Sequence, residues 1–412
     1  KEDETNNRMF AFLTNHVDDS YDHLSNRALI PYEETGERGS QCFVVMYDFN
    51  SNTPYVLAYG SWLNFSKTHP IYGINILEDY LFWTDNRNQP RKININKAIS
   101  SSSYYDKECN VSVAKIAPVR APLTQLYDRT SPLLPDDITA NPDYDANWDG
   151  DPDFLLDKFV RFSYRYKFED NEYSLMAPFT QVCFIPQQDG FFIKKNDGTN
   201  ITQEDEVRTY QSTEVPFMRN KINEVVLSIP PHEFMDPAGF TDADESVKLK
   251  SIEILYKESD GLSFKVVEEI FVKDILTSSL IYTFKGKKPI KTLPDFEVTR
   301  VGSSVPIRAL AQEIVGNRIV YGNFVNKNTS PTGLNYKVNV SDKVEMNETG
   351  SYARQNLSLK QNRSYEVGII LQDVYGRQSS VVLSNLQNEE INSSTVFNPY
   401  RNAAQAGNAF IN

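Results

Sequence analysis

An all-β fold of sandwiches or barrels is what this sequence predicts, and three observations carry it. Aromatic residues make up 12% of the 412, chiefly 24 Phe and 23 Tyr. They gather with Val and Ile in short runs such as QCFVVMYDF, RFSYRYKFED, SIEILYKES, FKVVEEIFV, NRIVYGNFV and SYEVGIILQD. Turn chemistry such as NSN, DNE and SDG separates many of these runs, the pattern of short strands at close spacing. Helical periodicity is almost absent. The best helix candidate is short, Pro306 to Val315, with Pro at its start and Gly316 just past its end.

The chain divides by the character of its elements. Cys42 to Phe49 reads as a strand, turned by Asn50-Ser51-Asn52 and returning over Tyr55 to Tyr59. A further aromatic strand ends at Leu81-Phe82-Trp83-Thr84 and closes on an Asp85-Asn86 corner. Strand, turn, strand and a closed aromatic strand make a propeller blade, here Gln41 to Ile95 within a blade region 1–114. One blade cannot bury both its faces. Others are therefore expected upstream in a longer polypeptide or from another chain, and the charged opening KEDETNNR, without an initiator Met, fits a start inside such a polypeptide.

From Ala117 the composition changes, and a boundary is placed near Ala114–Pro118. A Pro- and Asp-rich loop, 130–157, precedes a hairpin of Phe159 to Phe168, turn 169–172 and Tyr173 to Ile185. A related hairpin recurs about 200 residues later: Tyr365 to Leu371, turn 372–376, then a Ser-rich return, Arg377 to Ser384. Each is the closing hairpin of a fibronectin-III-like or Ig-like sandwich. The partition is a first sandwich over 115–186, a β-rich insertion over 187–296, a second sandwich over 297–385 and a polar tail over 386–412. The insertion carries its own strands at Asn223 to Ile229 and Ser251 to Tyr256.

Composition excludes several functions. No apolar run approaches the roughly 20 residues of a membrane helix. Lys and Arg total 42 against 55 Asp and Glu, a formal charge of -13. A nucleic-acid clamp draws its affinity from phosphate contacts and is normally basic, so that class is disfavoured, although a passage that DNA slides through is not. Cys42, Cys109 and Cys183 lie far apart and form no CxxC, and the four histidines have no metal-binding spacing. The motifs GxSxG, GxxxxGK[ST] and GxGxxG are missing, which leaves hydrolase, P-loop and Rossmann readings without support.

Two constellations remain. Asp145, Asn147, Asp149, Asp151 and Asp153, with Gly150, reproduce part of a calcium loop, whose cation needs several hard oxygens. Position 12 is Leu156 rather than Glu, so the site would be a calcium loop of non-EF-hand type; the competing reading is a solvated acidic loop. Arg87, Arg91 and Lys92 form a small basic cluster on the blade corner, either a phosphate or inter-subunit contact or a solvated corner paired to local acids. Paired carboxylates for glycoside hydrolysis have no mark that singles out one pair.

The segments GINILEDYLFWTDNRNQPRKINI, SIEILYKESDGLSFKVVEEI and VPIRALAQEIVGNRIVYGNFV, with both hairpins, resemble large virion structural proteins of tailed bacteriophages. The nearest likeness is to the muzzle or tail-nozzle proteins of crAss-like podophages, with similar segments in long myophage structural proteins. The likeness covers most of residues 40–385 and is most specific over Leu81 to Ile95 and Val305 to Val325. It implies a non-enzymatic tail component located in the virion. Its partners would be copies of itself in a ring, other tail or neck proteins, and viral DNA passing through without sequence-specific binding. Rival readings are a receptor- or glycan-binding tail or baseplate protein that meets the host surface, and a propeller glycosidase.

Overall fold

The computed structural model describes residues 1–17, 41–101, 103–133, 140–184, 186–188, 218–235, 238–258, 261–286, 289, 291–294, 297, 305–316, 318–331, 333–342, 359–360, 362–384, 387–388, 391–392, 394–399 and 409–411. They form mostly strand, in several small antiparallel sheets. The chain forms two compact units. Unit 1 comprises Lys1–Ile116, Arg300–Ser330 and Ile370–Ser380; unit 2 comprises Ala117–Thr299, Pro331–Ile369 and Val381–Asn412. The linear partition had kept 297–385 together, whereas 300–330 and 370–380 belong with the N-terminal residues. Distant strands supply the pairing there, which no composition shift along the chain records.

Unit 1 begins with β1 (Glu2–Asp3), β2 (Arg8–Thr14), β3 (Cys42–Asp48) and β4 (Thr53–Tyr59), hydrogen-bonded in that order as an antiparallel meander. A second meander follows: β5 (Gly73–Leu77), β6 (Tyr80–Thr84) and β7 (Arg91–Asn94). Period-2 alternation sends Phe10, Val44, Met46 and Leu57 from the first sheet, and Leu81, Trp83 and Ile93 from the second, into one core. Phe12 and Trp83 meet there with ring centroids 5.3 Å apart, and Trp83 is 1% exposed. Two short helices, α1 (Ile95–Ser100) and α2 (Glu108–Val111), complete this part. The Asn94 side chain caps α1 by accepting from the Lys97 N–H at 3.0 Å.

In unit 2, β8 (Leu123–Tyr127) and β9 (Val160–Phe168) are followed by a short pair, β10 (Pro186–Gln188) and β11 (Met218–Asn220). Next come β12 (Glu224–Ile229), β13 (Leu249–Glu258), β14 (Lys265–Phe271), β15 (Leu280–Phe284) and β16 (Lys291–Thr292). Two antiparallel sheets result, of order β15-β12-β8 and β16-β14-β13-β9. Phe162, Tyr256 and Phe284 join them, with ring centroids 5.2 to 6.0 Å apart. The residues expected as an insertion thus build these same two sheets. Their strands β12 and β13 pair with β8 and β9, because neither pair alone could cover an apolar sheet face.

The hairpin that begins with β9 has an uneven ladder. Ser174, Ala177, Thr180 and Cys183 donate to the carbonyls of Tyr166, Tyr164, Phe162 and Val160, so three residues of the return span two of the strand. Hydroxyls fill the gaps: the N–H groups of Tyr166 and Phe162 donate to Ser174 Oγ and Thr180 Oγ1 at 2.9 and 3.0 Å. The later hairpin repeats this step at an offset of 205 residues (371 less 166). Ser379 and Val382 donate to Leu371 and Ile369, and the Leu371 N–H donates to Ser379 Oγ at 3.1 Å. The turns correspond at the same offset, Phe168 to Glu172 with Asp373 to Arg377. Asn171 (φ 60) and Gly376 (φ 85) take the left-handed position in each.

Returning to unit 1, β17 (Arg308–Val315) and β18 (Arg318–Val325) form a hairpin. The expected helix over Pro306 to Val315 is therefore a strand. Its Ala, Leu, Gln and Glu favour helix, yet helix preference is a weak prior that tertiary pairing overrides. Gly316 (φ 58) ends β17 at the turn into β18 rather than stopping a helix. Gln312, 7% exposed, packs at Gly73, where an added Cβ would stand 2.9 Å from Gln312 Cγ. Unit 2 ends with short pairs: β19 (Val340–Asp342) with the last strand, β24 (Ala409–Ile411); β20 (Arg363–Glu366) with β23 (Thr395–Asn398); and β21 (Gln387–Asn388) with β22 (Ile391–Asn392). Much of the expected tail, including 400–408, lies outside the described residues.

Candidate interaction surface

The sheet β1–β4 turns one face to the core and the other outward. On the outer face, cross-strand register aligns three rows: Met9, Tyr47 and Pro54; Ala11, Val45 and Val56; Leu13, Phe43 and Tyr59. None of the nine carries a formal charge. Met9, Leu13, Val56 and Tyr59 are 40 to 51% exposed. Phe43 stacks on Tyr59 at 6.5 Å, and Phe49 extends the face with its ring 5.0 Å from Tyr47. A cleft opens beside this face, lined by Phe43, Tyr55, Val56, Tyr59, Ala98 and Ile99. Sequence reasoning expected a blade whose faces it could not bury alone, and did not place β2 in it. The signal was the continuous apolar run in MFAFL and CFVVMY, which marks a strand whose two faces are both apolar.

The basic cluster at the Asp85–Asn88 corner is tied into the fold, with Arg91 and Lys92 buried and Arg87 half-buried. Arg91 is 1% exposed, donates to the Leu63 carbonyl and pairs with Glu108 at 3.2 Å. Arg87 donates twice to Asn64, from Nε to the carbonyl and from Nη2 to Oδ1, both at 3.1 Å. Lys92 is buried with its ammonium 5.7 Å from the Tyr80 ring centroid. Beneath them Asp85 accepts the N–H groups of Arg87 and Asn88 at 2.9 and 2.7 Å, so the Asp/Asn corner is an Asx turn with its carboxylate buried. Arg377 reaches the same corner, donating to Gln89 Oε1 at 3.2 Å and to the Pro306 carbonyl at 3.1 Å. These cations hold the corner together and are not presented to a phosphate.

The acidic loop lies in unit 2 with the carboxylates of Asp145, Asp149, Asp151 and Asp153 exposed. Three of the four already accept a donor. Asp145 Oδ1 takes the Asn147 N–H at 2.9 Å, Asp151 Oδ1 takes the Asp153 N–H at 3.1 Å, and Asp149 Oδ1 takes Lys285 Nζ at 2.8 Å. The Lys285 hydrogen bond holds the Asp149 carboxyl below the ordinary carboxylate range. The base of the loop is fixed by Glu224, which accepts from Arg129 Nη2 at 2.7 Å and from Trp148 Nε1 at 2.9 Å. Among the described residues, no three His, Cys, Asp or Glu stand together in a way that could hold a metal ion.

A second charged cluster was not anticipated. On one face of the four-stranded sheet of unit 2, Glu253 (0% exposed) accepts from Arg165 Nε and from Lys291 Nζ, both at 2.7 Å. Arg165 also donates to Glu297 at 2.8 Å. Beside them Lys167 pairs with Glu269 at 2.8 Å. Burial raises the Glu269 carboxyl, but hydrogen bonds from Lys167 and Ser251 outweigh it and leave the group below its usual value. Three cations face three anions, so the cluster is neutral and serves register across β9, β13 and β14. Two of the cysteines are chemically quiet: burial pushes the Cys109 and Cys183 thiols up to about 12. No helix among the described residues is long and apolar enough to cross a membrane. None of the family models, curated proteins or solved structures compared with this chain matches it.

Proposed function

We propose that the chain is a non-enzymatic structural component of a bacteriophage tail, of the muzzle or nozzle type, forming part of a ring around the DNA exit channel. One observation supports this reading above the others. The two segments most specific to the resemblance, Leu81 to Ile95 and Val305 to Val325, are joined in unit 1 through Thr84 and Ala309, 225 residues apart. Thr84 Oγ1 and the Asn86 N–H both donate to the Ala309 carbonyl, the latter at 2.9 Å. A long structural protein that shares these segments would share this layered corner.

In this reading the meanders of unit 1 are propeller blades, and the sandwich of unit 2, with three strands facing four, is fibronectin-III-like. The formal charge of -13 suits a passage that repels DNA phosphates and keeps the duplex from sticking. The test is electron microscopy of the purified full chain, together with mass spectrometry of purified particles. Closed rings of one copy number, and the chain among the tail proteins, are the expected results. A monomer that turns over polysaccharide, or a chain missing from the particle, would overturn the proposal.

A further inference from the structure

We propose that the outer face of the β1–β4 sheet is a self-association surface on which a second copy of this chain packs, sheet against sheet. The inference does not depend on the tail reading. Nine side chains in three aligned rows make the β2–β4 part of this face uncharged, although the chain as a whole carries -13; Glu2 of the edge strand β1, opposite Met9, stands at its rim. Two copies repel each other over most of their surfaces. Across β2–β4 they meet with no carboxylate or ammonium to desolvate, and Glu2 at the rim can keep its water.

The size fits. Three strands about 4.8 Å apart and seven residues long at about 3.3 Å each give a footprint of about 15 by 23 Å. Two copies would bury about 700 Å² of projected area, and more once side-chain relief is counted, the size of a weak, reversible interface. The same sheet also shows what it accepts. Its inner face is covered by another antiparallel meander, with Phe12 of one sheet against Trp83 of the other. Sheet-on-sheet packing of this kind wants a flat apolar partner about 10 Å away, and the outer face of a second copy is one.

Sedimentation of the full chain across concentration, before and after Val56→Lys, tests the inference. Val56 stands in the central row and is 41% exposed, so the variant should keep its fold and its melt. The wild type is expected to associate reversibly. Val56→Lys should weaken association at least ~100-fold, since the new charge would be buried without a partner. Leu262→Asp, at a site 94% exposed in unit 2, should associate as the wild type does. A wild type that stays monomeric up to about 100 μM, or a Val56→Lys variant that associates unchanged, overturns the proposal. So does slow labelling of Val56→Cys in a monomeric chain, which would mean that the chain covers this face itself. A ring that survives Val56→Lys removes this inference and leaves the tail reading standing. Loss of self-association in a chain that is absent from any tail does the reverse.

Discussion

Removing the Glu253 carboxylate should destabilise unit 2 by about 3–5 kcal/mol, the usual cost of leaving a buried cation without its partner. The figure follows from what each neighbour keeps. Arg165 is 2% exposed and would retain only Glu297, itself partly exposed. The face of Tyr173, 3.9 Å from the guanidinium, is weaker compensation. Lys291 is 45% exposed and can turn to water, so Lys291→Ala should cost no more than about 1 kcal/mol. Replacing both buried partners, Arg165→Met with Glu253→Leu, should come within about 1 kcal/mol of wild type or exceed it, because the charges left behind, Glu297 and Lys291, reach water. Urea unfolding followed by circular dichroism reads the difference as a shift of midpoint at constant slope. If Glu253→Gln costs under about 1 kcal/mol, or if the double variant is as unstable as the single one, Glu253 is not the hub of this cluster.

Three further outcomes are expected. Trp83→Ala should cost roughly 3–5 kcal/mol in a thermal or urea melt, since the indole fills the core between the two meanders of unit 1; a loss under about 1 kcal/mol would contradict its place there. Burial holds the His232 imidazole below its ordinary value. The unfolded chain therefore binds that proton more readily, and the stability His232 contributes is present above about pH 6.5 and is lost as the pH falls through the folded value. An NMR titration that places His232 at or above 6.5 would reverse the sign. In the acidic loop, calcium would have to displace Lys285 from Asp149, so Lys285→Ala should show a larger calcium-dependent rise in Tm than wild type. Identical melts with calcium and with chelator, for both proteins, would exclude the cation from this loop.

The strands were legible where alternation is local. In Cys42–Asp48, buried and half-buried positions alternate as the sequence does, and the aromatic strand read at Leu81 to Thr84 is β6, which carries Trp83 into the core. The repeated hairpin was legible too, because Ser174 and Ser379 occupy equivalent places in its return segments. What escaped depended on distant partners. Leu310 and Ile314 fit one face of a helix as well as one face of a strand, and the decision came from β18 and from Gly73 beneath Gln312. Glu253 and Arg165 are 88 residues apart in sequence, so their pairing left no local pattern. Arg87, Arg91 and Lys92 read as surface charge because their partners, Asn64, Leu63, Glu108 and Tyr80, come from other segments. The outer face of β1–β4 was legible from strands apolar on both faces, and the propeller reading left it for neighbouring blades to cover.

Cryo-electron microscopy of the tail, at a resolution that traces strands, tests the central claim most directly. The account predicts the four-stranded meander and the two-sheet sandwich of this chain repeated with one copy number around the axis, enclosing a channel wide enough for duplex DNA. A tail that holds the chain as a single off-axis copy, or that lacks it, would contradict the account.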